Sequence, residues 1–215
     1  MGLNNYKDEL YNIASDYVKA HEENKNNFDA ATRAYNSRPH GKLLDGLSKA
    51  KAAEAEANYE RAKVADYDFR STKTSECLKN IDKIHESAKK HIAERFAARP
   101  SDIDGPVWEL IKNGICTPAE LDSFMDSAVS KNNSTMMRLI AQYATSEAEK
   151  HRERKDNEKD RAYRLIALKG KGADGSEYTE SFGYYVDCIK KIIKNPNIFK
   201  NVDIQRMLTE SSYGI

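Results

Sequence analysis

The chain has 215 residues, and its 35 basic and 34 acidic side chains leave a formal net charge of only +1. Hydrophobic residues make up 39% of the sequence and charged residues 32%. Disordered chains combine few apolar residues with a large net charge, and the second condition is absent here. The ten Gly and five Pro are sparsely placed, which argues against an all-β fold with frequent turns. These features predict an all-α protein.

Targeting and membrane segments are not expected. No stretch approaches the roughly 20 consecutive apolar residues that a membrane-spanning helix needs. The first six residues lack the basic and apolar regions of a signal peptide. The three cysteines, Cys77, Cys116 and Cys188, are isolated, with no pair at metal-ligand or redox spacing. We interpret them as semi-buried thiols of a protein in a reducing compartment.

Residues 6–35 carry an apolar heptad pattern with one polar interruption. Alternating steps of four and three predict a long helix with a coiled-coil seam. The positions in this pattern are Tyr6, Leu10, Ile13, Tyr17, Ala20, Asn24, Phe28, Ala31 and Tyr35. Pro39 and Gly41 then predict a chain reversal.

A second long helical segment covers residues 42–99, which contain one Gly and no Pro. Ala-rich residues 50–65, including Ala57 and Ala62, lead to Tyr59, Tyr67 and Phe69, which we assign to the same face. The polar residues 70–75 are poor helix formers, so either the helix breaks there or it runs on unbroken. Folding back at Pro39 places residue 6 opposite residue 72. Residues 1–99 are therefore predicted to form an antiparallel hairpin.

Residues 100–215 are predicted to form a C-terminal domain, a bundle of shorter helices. Pro106 starts the first of these helices, and Thr117-Pro118-Ala119-Glu120 is a capping box that starts the second. A third helix begins at Ser134. Residues 145–164 are almost wholly charged, so a single helix from Ser134 to Leu168 and a bent middle both stay open.

The C-terminal part begins with a Gly-rich stretch, residues 170–176, which we interpret as a flexible linker. An amphipathic helix follows, with its apolar face at Phe182, Tyr185, Val186, Ile189, Ile192 and Ile193. Asn195-Pro196 interrupts it, and residues 198–208 suit a short closing helix.

No residue pattern points to catalysis, a cofactor or a metal. His85 and His91 are six residues apart, so one helix would not aim both rings at one metal ion. The Gly-rich stretch lacks the residue order of a phosphate-binding loop. Residues 118–144 mimic the spacing of a helix-turn-helix, but Met136 and Met137 open the second helix and suit a core rather than a DNA groove. An enzyme and a nucleic-acid-binding protein are therefore not expected.

Protein binding is the remaining function class. The hairpin seam is the first candidate surface, and exposed parts of the C-terminal helices are the second. A shared seam would give a homo-oligomer. The candidate residues are Tyr17, Phe28, Tyr35, Tyr59, Phe69, Tyr184, Phe199 and Met207.

The stretch from Gly114-Ile115-Cys116-Thr117 to Ile140-Ala141-Gln142-Tyr143-Ala144 resembles segments of small helical proteins from bacteriophages and prophages of Gram-positive bacteria. The charged, Ala-rich remainder is similar in style to phage scaffolding proteins. This resemblance implies a structural or assembly protein that binds a coat or virion protein, located in the host cytoplasm or in the virion.

An alternative function is a phage-encoded inhibitor of a host defence nuclease, of the anti-CRISPR or anti-restriction kind, that acts by steric blockade. Such inhibitors commonly mimic nucleic acid with dense acidity. Residues 101–126 hold six acids and a single base, Lys112. The acids are Asp102, Asp104, Glu109, Glu120, Asp122 and Asp126.

Overall fold

The computed structural model describes residues 3–41 and 45–210, which contain helices and no strand. This confirms the all-α class. Three short segments are a π-helical turn, Phe69–Lys73, and two 3₁₀ turns, Pro100–Asp102 and Pro196–Lys200. The α-helices are α1 Leu3–Asn36, α2 Gly46–Asp68, α3 Thr74–Arg95, α4 Gly105–Lys112, α5 Pro118–Ser130, α6 Ser134–Glu153, α7 Asn157–Lys169, α8 Ser176–Lys194 and α9 Val202–Glu210.

The chain packs into two compact units. Unit 1 contains Met1–Ala88 and Gly183–Ile215, and unit 2 contains Lys89–Phe182. This division differs from the expected boundary between residues 99 and 100, because the C-terminal segment packs with the N-terminal helices. The Tyr185 hydroxyl donates to the Lys7 carbonyl at 3.3 Å, and Lys190 Nζ lies 2.6 Å from Asp82 Oδ1.

Unit 1 has its apolar core where α1, α3 and α8 run together, and we call this part the base. The base comprises residues 3–18 of α1, 74–88 of α3 and 183–194 of α8. The stripe predicted on α8 is buried, because it supplies the apolar surface that α1 and α3 lack as a pair. The core residues are Leu3, Leu10, Ala14, Tyr17, Val18, Ile81, Ile84, Ala88, Tyr185, Val186, Cys188, Ile189, Ile192 and Ile193.

The polar residues 70–75 do not break the second helix. Most of them form the π-helical turn that joins α2 directly to α3, and the Thr74 amide donates to the Phe69 carbonyl five residues earlier. The buried and half-buried positions explain this turn. They follow steps of four and three up to Phe69, step by five to Thr74, and then resume. One inserted residue therefore keeps both stripes on the side that faces α1.

The pairing of the two long helices differs from the predicted one. The Tyr17 hydroxyl lies 2.7 Å from Thr74 Oγ1, and Asn24 Nδ2 donates to Asp66 Oδ1 at 2.9 Å. The expectation that residue 6 meets residue 72 is therefore wrong. Because α2 begins only at Gly46, behind the N-cap Asp45, the first half of α1 lies beside α3 rather than α2.

Unit 2 contains an antiparallel pair of helices, α6 and α7, instead of one helix from Ser134 to Leu168. Lys155 adopts a φ of 61° at the reversal, and the Asp156 side chain caps α7 by accepting from the Lys159 amide. The open alternative of a single helix is thus wrong. The core of this unit consists of Ile111, Leu121, Met125, Ala128, Met136, Ile140, Ala144, Ala148, Tyr163 and Ile166.

The Gly-rich stretch before α8 is a packed turn, so its interpretation as a flexible linker is wrong. The Arg138 guanidinium donates to the carbonyls of Ala173 and Phe96, and Ala173 is only 4% exposed. A Cβ added at Gly170 would lie 2.6 Å from the Ala141 Cβ. The glycines here allow close packing of the backbone rather than motion.

Candidate protein-interaction surface

The distal hairpin, which we define as residues 20–36 of α1 together with α2, has almost no core. The buried residues of α1 end at Val18, and α2 has none. Isolated helices are marginal in water, and most helical stability comes from packing an apolar face. The two helices of the distal hairpin are therefore joined by one row of half-buried side chains, with their outer faces exposed.

Three of the aromatic residues proposed for association, Phe28, Tyr35 and Tyr59, lie in this row, and Tyr17 and Phe69 continue it beside the π-helical turn. The ring centroids of Tyr17 and Phe69 are 5.3 Å apart, those of Phe28 and Tyr59 are 6.1 Å apart, and those of Tyr35 and Tyr59 are 4.5 Å apart. Each of the five rings thus packs on at least one other within the chain, in two groups, Tyr17 with Phe69 and Phe28 and Tyr35 with Tyr59. Tyr17 is buried at 5% exposure, whereas the other four are half-buried and keep an exposed edge.

The uncharged ring of His21 lies where the row passes the π-helical turn. The His21 ring is 5.9 Å from Phe69 and 6.4 Å from Tyr17. Burial lowers the pKa of His21 below 6.5, assisted by the positive charges of Arg70 and Lys25. Burial also raises the pKa of Tyr17 above 10. Both rings are therefore neutral at neutral pH, which suits an apolar seam.

Helix α2 carries the exposed large apolar residues of the distal hairpin, with Val64 and Tyr67 on its outer face and Leu47 on a flank. Leu47 is 65% exposed, Val64 58% and Tyr67 71%. Tyr67 and Ala57 were expected on the seam, and both are exposed instead because they lie on the side of α2 away from α1. A second run of three- and four-residue steps, at 50, 53, 57, 60, 64 and 67, was the signal in the sequence for this face, and only Glu60 in it is charged.

The three candidate residues near the C-terminus have different surroundings. Tyr184 is 62% exposed on α8. The half-buried Phe199 ring packs 6.0 Å from that of Tyr11. The side chain of Met207 lies outside the described residues. Of the two that the structure describes, Tyr184 offers the larger surface.

The six acids of residues 101–126 have local structural roles. Asp104 and Glu120 act in the caps of α4 and α5, and the Thr117 amide and hydroxyl both donate to Glu120, which lowers the pKa of that carboxyl. Asp122 and Asp126 flank Lys169 Nζ at 2.8 and 2.7 Å.

The other two acids, Glu109 and Asp102, have partners close in sequence. Glu109 pairs with Lys112 at 3.1 Å, and Asp102 accepts from the Ser101 hydroxyl at 3.1 Å. The capping box that the sequence predicted at Thr117 and Glu120 is confirmed. These six acids thus cap helices or pair with neighbours in the free chain.

The cysteine thiols and the methionine pair have a structural setting. Burial raises the pKa of Cys77 and of Cys116, so both are protonated thiols at neutral pH and poor nucleophiles. Met136 is 3% exposed in the core of unit 2, and Met137 packs against that core. These methionines contribute to packing, as the sequence indicated.

Within residues 3–41 and 45–210, no three His, Cys, Asp or Glu side chains come together in an arrangement that could hold a metal ion. None of the helices found there combines the length and apolarity needed to cross a membrane.

Comparison with known proteins gives no relative. No protein-family model, no curated protein and no solved structure matches this chain.

Proposed function

We propose that this chain is a non-enzymatic structural or assembly protein that acts by binding another protein. The observation that carries the proposal is the distal hairpin. Its helix α2 has no buried residue and exposes Val64 and Tyr67 on the face away from α1, with Leu47 exposed on one flank. Apolar surface of this kind, held on a regular helix, gains free energy when a partner removes it from water.

The partner class comes from the resemblance of residues 114–144 to helical phage proteins. A phage coat or virion protein is the partner that this resemblance implies, and assembly in the host cytoplasm is the setting. Scaffold-like proteins act by transient contacts, which suits an exposed face of a helix rather than a deep pocket. Nucleic acid and membrane have no role in this proposal.

Capture from a lysogenic or infected host tests the proposal. The full-length chain serves as bait, beside the variant Val64→Asp/Tyr67→Asp. The matched control is Leu165→Asp/Leu168→Asp on α7 of unit 2, where the two leucines are similarly exposed, at 55% and 62%. We expect the parent chain and the control to recover a virion protein and the α2 variant to lose it.

The other outcomes distinguish a wrong binding surface from a wrong function. Equal capture by all three chains would show that α2 is not the binding surface. Recovery of a nuclease complex without virion proteins would replace the proposed function by the inhibitor alternative. In that case Asp122→Asn/Asp126→Asn, which keeps the helix caps intact, should weaken capture if the acidic residues bind the nuclease.

A further inference from the structure

The outer face of α2 repeats like one half of a coiled coil. Its stripe consists of positions 50, 53, 57, 60, 64 and 67, spaced by alternating steps of three and four on the side opposite the seam. The stripe is exposed along its whole length. Four of these positions are Ala or Val, one is Tyr67, and the only charged member is Glu60.

Charged side chains flank this stripe in an ordered way. Glu54 and Arg61 lie along one flank, and Glu56 and Lys63 lie along the other, seven residues apart in each case. All four side chains are exposed. Both flanks of α2 therefore carry acids and bases, with Asp68 also on the first flank and Lys49 also on the second. A second, identical helix can match the central acid and base of each flank.

We propose that the outer face of α2 binds a second copy of this chain, with the two α2 helices antiparallel and the two-fold axis between residues 58 and 59. The proposal rests on the proposed function, since both use this face of α2: the second copy covers it in the free chain, and a virion protein has to displace that copy in order to bind. In this pairing Ala50 lies against Tyr67 of the second copy, and Ala53 against its Val64. Small residues facing large ones allow the two helices to interlock.

The flanking charges are complementary in this arrangement. In antiparallel coiled coils each flank meets the same flank of the other helix. Glu54 then faces Arg61 of the second copy, and Glu56 faces its Lys63. The two-fold axis repeats both pairs, so four ion pairs border the middle of the stripe. At its ends Lys49 lies toward Arg70 of the second copy, the one approach of like charges along these flanks.

The direction of pairing is decided by Glu60. A parallel pair would also match charges, since Glu56 would face Arg61 and Lys49 would face Glu54. It would, however, place Glu60 directly against Glu60 within the apolar stripe. The antiparallel pair places Glu60 against Ala57 of the second copy, which leaves room for its carboxylate to stay with Lys63 of its own helix, 3.6 Å away. Exposed flanking pairs contribute little, so the contact inside the stripe decides.

Two variants of α2 with opposite flank charges test the proposal. Glu54→Lys/Glu56→Lys makes both flanks basic, and Arg61→Glu/Lys63→Glu makes both acidic. We expect sedimentation to show a concentration-dependent dimer for the parent chain. Each variant alone should dimerise about tenfold or more weakly, and an equal mixture of the two should regain the dimer. As a control, Glu149→Lys/Glu153→Lys on the exposed face of α6 should dimerise like the parent.

A parent chain that stays monomeric across micromolar to millimolar concentrations would overturn the proposal, and so would a mixture that stays monomeric. The virion-protein capture separates this failure from failure of the proposed function. Capture by a strictly monomeric chain would reject the dimer and keep the assembly function. A dimeric chain that captures no virion protein would keep the dimer and reject the assembly function.

Photo-crosslinking tests the direction. A benzoylphenylalanine placed at position 50 should attach to the second copy near residue 67 in the antiparallel pair. Attachment near residue 50 would show a parallel pair and overturn the proposed arrangement.

Discussion

Gly170 lies where the turn before α8 packs against α6. A Cβ at this position would lie 2.6 Å from the Ala141 Cβ and 3.0 Å from the Met137 carbonyl oxygen, and the second neighbour is backbone that cannot rotate away. We expect Gly170→Ala to lower the free energy of unfolding by about 1–3 kcal/mol. Chemical denaturation of the purified variant measures this.

The control is Gly46→Ala at the start of α2. Nothing lies within 4 Å of a Cβ built there, and its φ is not in the left-handed region. This variant should be neutral or slightly stabilising. Equal stability of both variants would mean that the turn is as loose as the sequence alone indicated.

His21 makes the stability of the hairpin depend on pH. Its pKa in the folded chain lies below the ordinary 6.5, with burial as the main cause. The unfolded chain therefore takes up the proton at a higher pH than the folded chain. Stability should be complete above about pH 6.5 and fall as the pH drops toward the folded pKa.

His21→Gln checks this assignment, because glutamine cannot take up the proton. We expect the parent chain to lose more free energy of unfolding between pH 7.5 and 5.5 than the variant does. An identical loss in both chains would assign the pH dependence to other histidines.

For individual residues, the sequence predicted the structure correctly where the interaction is local. The capping box at Thr117 and Glu120 depends on four consecutive residues, and the structure contains it. It failed at Ala57 and Tyr67, because the side of a helix on which a residue lies depends on its phase relative to a partner helix. In an Ala-rich helix with two three-and-four repeats, the sequence does not tell which repeat faces α1.

At the scale of elements, the π-helical turn compensates for one extra residue between two apolar stripes. Deleting Thr72 should therefore let α2 and α3 join as a regular α-helix, with Phe69 and Thr74 separated by one normal turn and both stripes still facing α1. We expect the melting temperature of the Thr72 deletion to stay close to that of the parent. Circular dichroism measures this.

The control deletion removes Ala57 from the middle of α2. One missing residue turns every preceding position by about 100° relative to those that follow. The half-buried positions before residue 57 would leave the seam, and the melting temperature should fall clearly. If the Thr72 deletion is equally damaging, the π-helical turn is not a register correction.

The helices themselves could be predicted from periodicity, caps and breakers, whereas their pairing could not. The reversal at Asp156 has a local cause, an N-cap after a residue with positive φ, but an equally charged sequence can form one long helix. Likewise, the prediction aligned α1 and α2 symmetrically about Pro39. In the structure α2 begins only at Gly46, and the two helices pair in a different register, in which Tyr17 contacts Thr74.

At the scale of the whole molecule, the core of unit 1 depends on α8. Ile189 is fully buried, so Ile189→Asp would place a charge among the isoleucines of the base. We expect it to cost more than about 3 kcal/mol of stability in unit 1. Hydrogen exchange should show lost protection in residues 3–18 and 74–88 and retained protection in α5, α6 and α7.

Tyr184→Asp on the same helix is the control, since Tyr184 is 62% exposed. It should leave protection unchanged throughout. Loss of protection in both units after Ile189→Asp would show that they unfold as one. The boundary between the units was not predictable from composition, because the apolar stripe of α8 would suit a core with either neighbour.

The contact between Tyr185 and Lys7, which are 178 residues apart, also fixes an order of events during synthesis. A ribosome adds about 5–20 residues per second, so α1 emerges roughly 10–35 s before α8. During this interval Leu10, Ile81 and Ile84 have no α8 to cover them. Residues 89–182, in contrast, leave the ribosome as one uninterrupted stretch. The nascent base thus keeps apolar side chains exposed until α8 has been made, whereas unit 2 can fold as soon as its own stretch is complete.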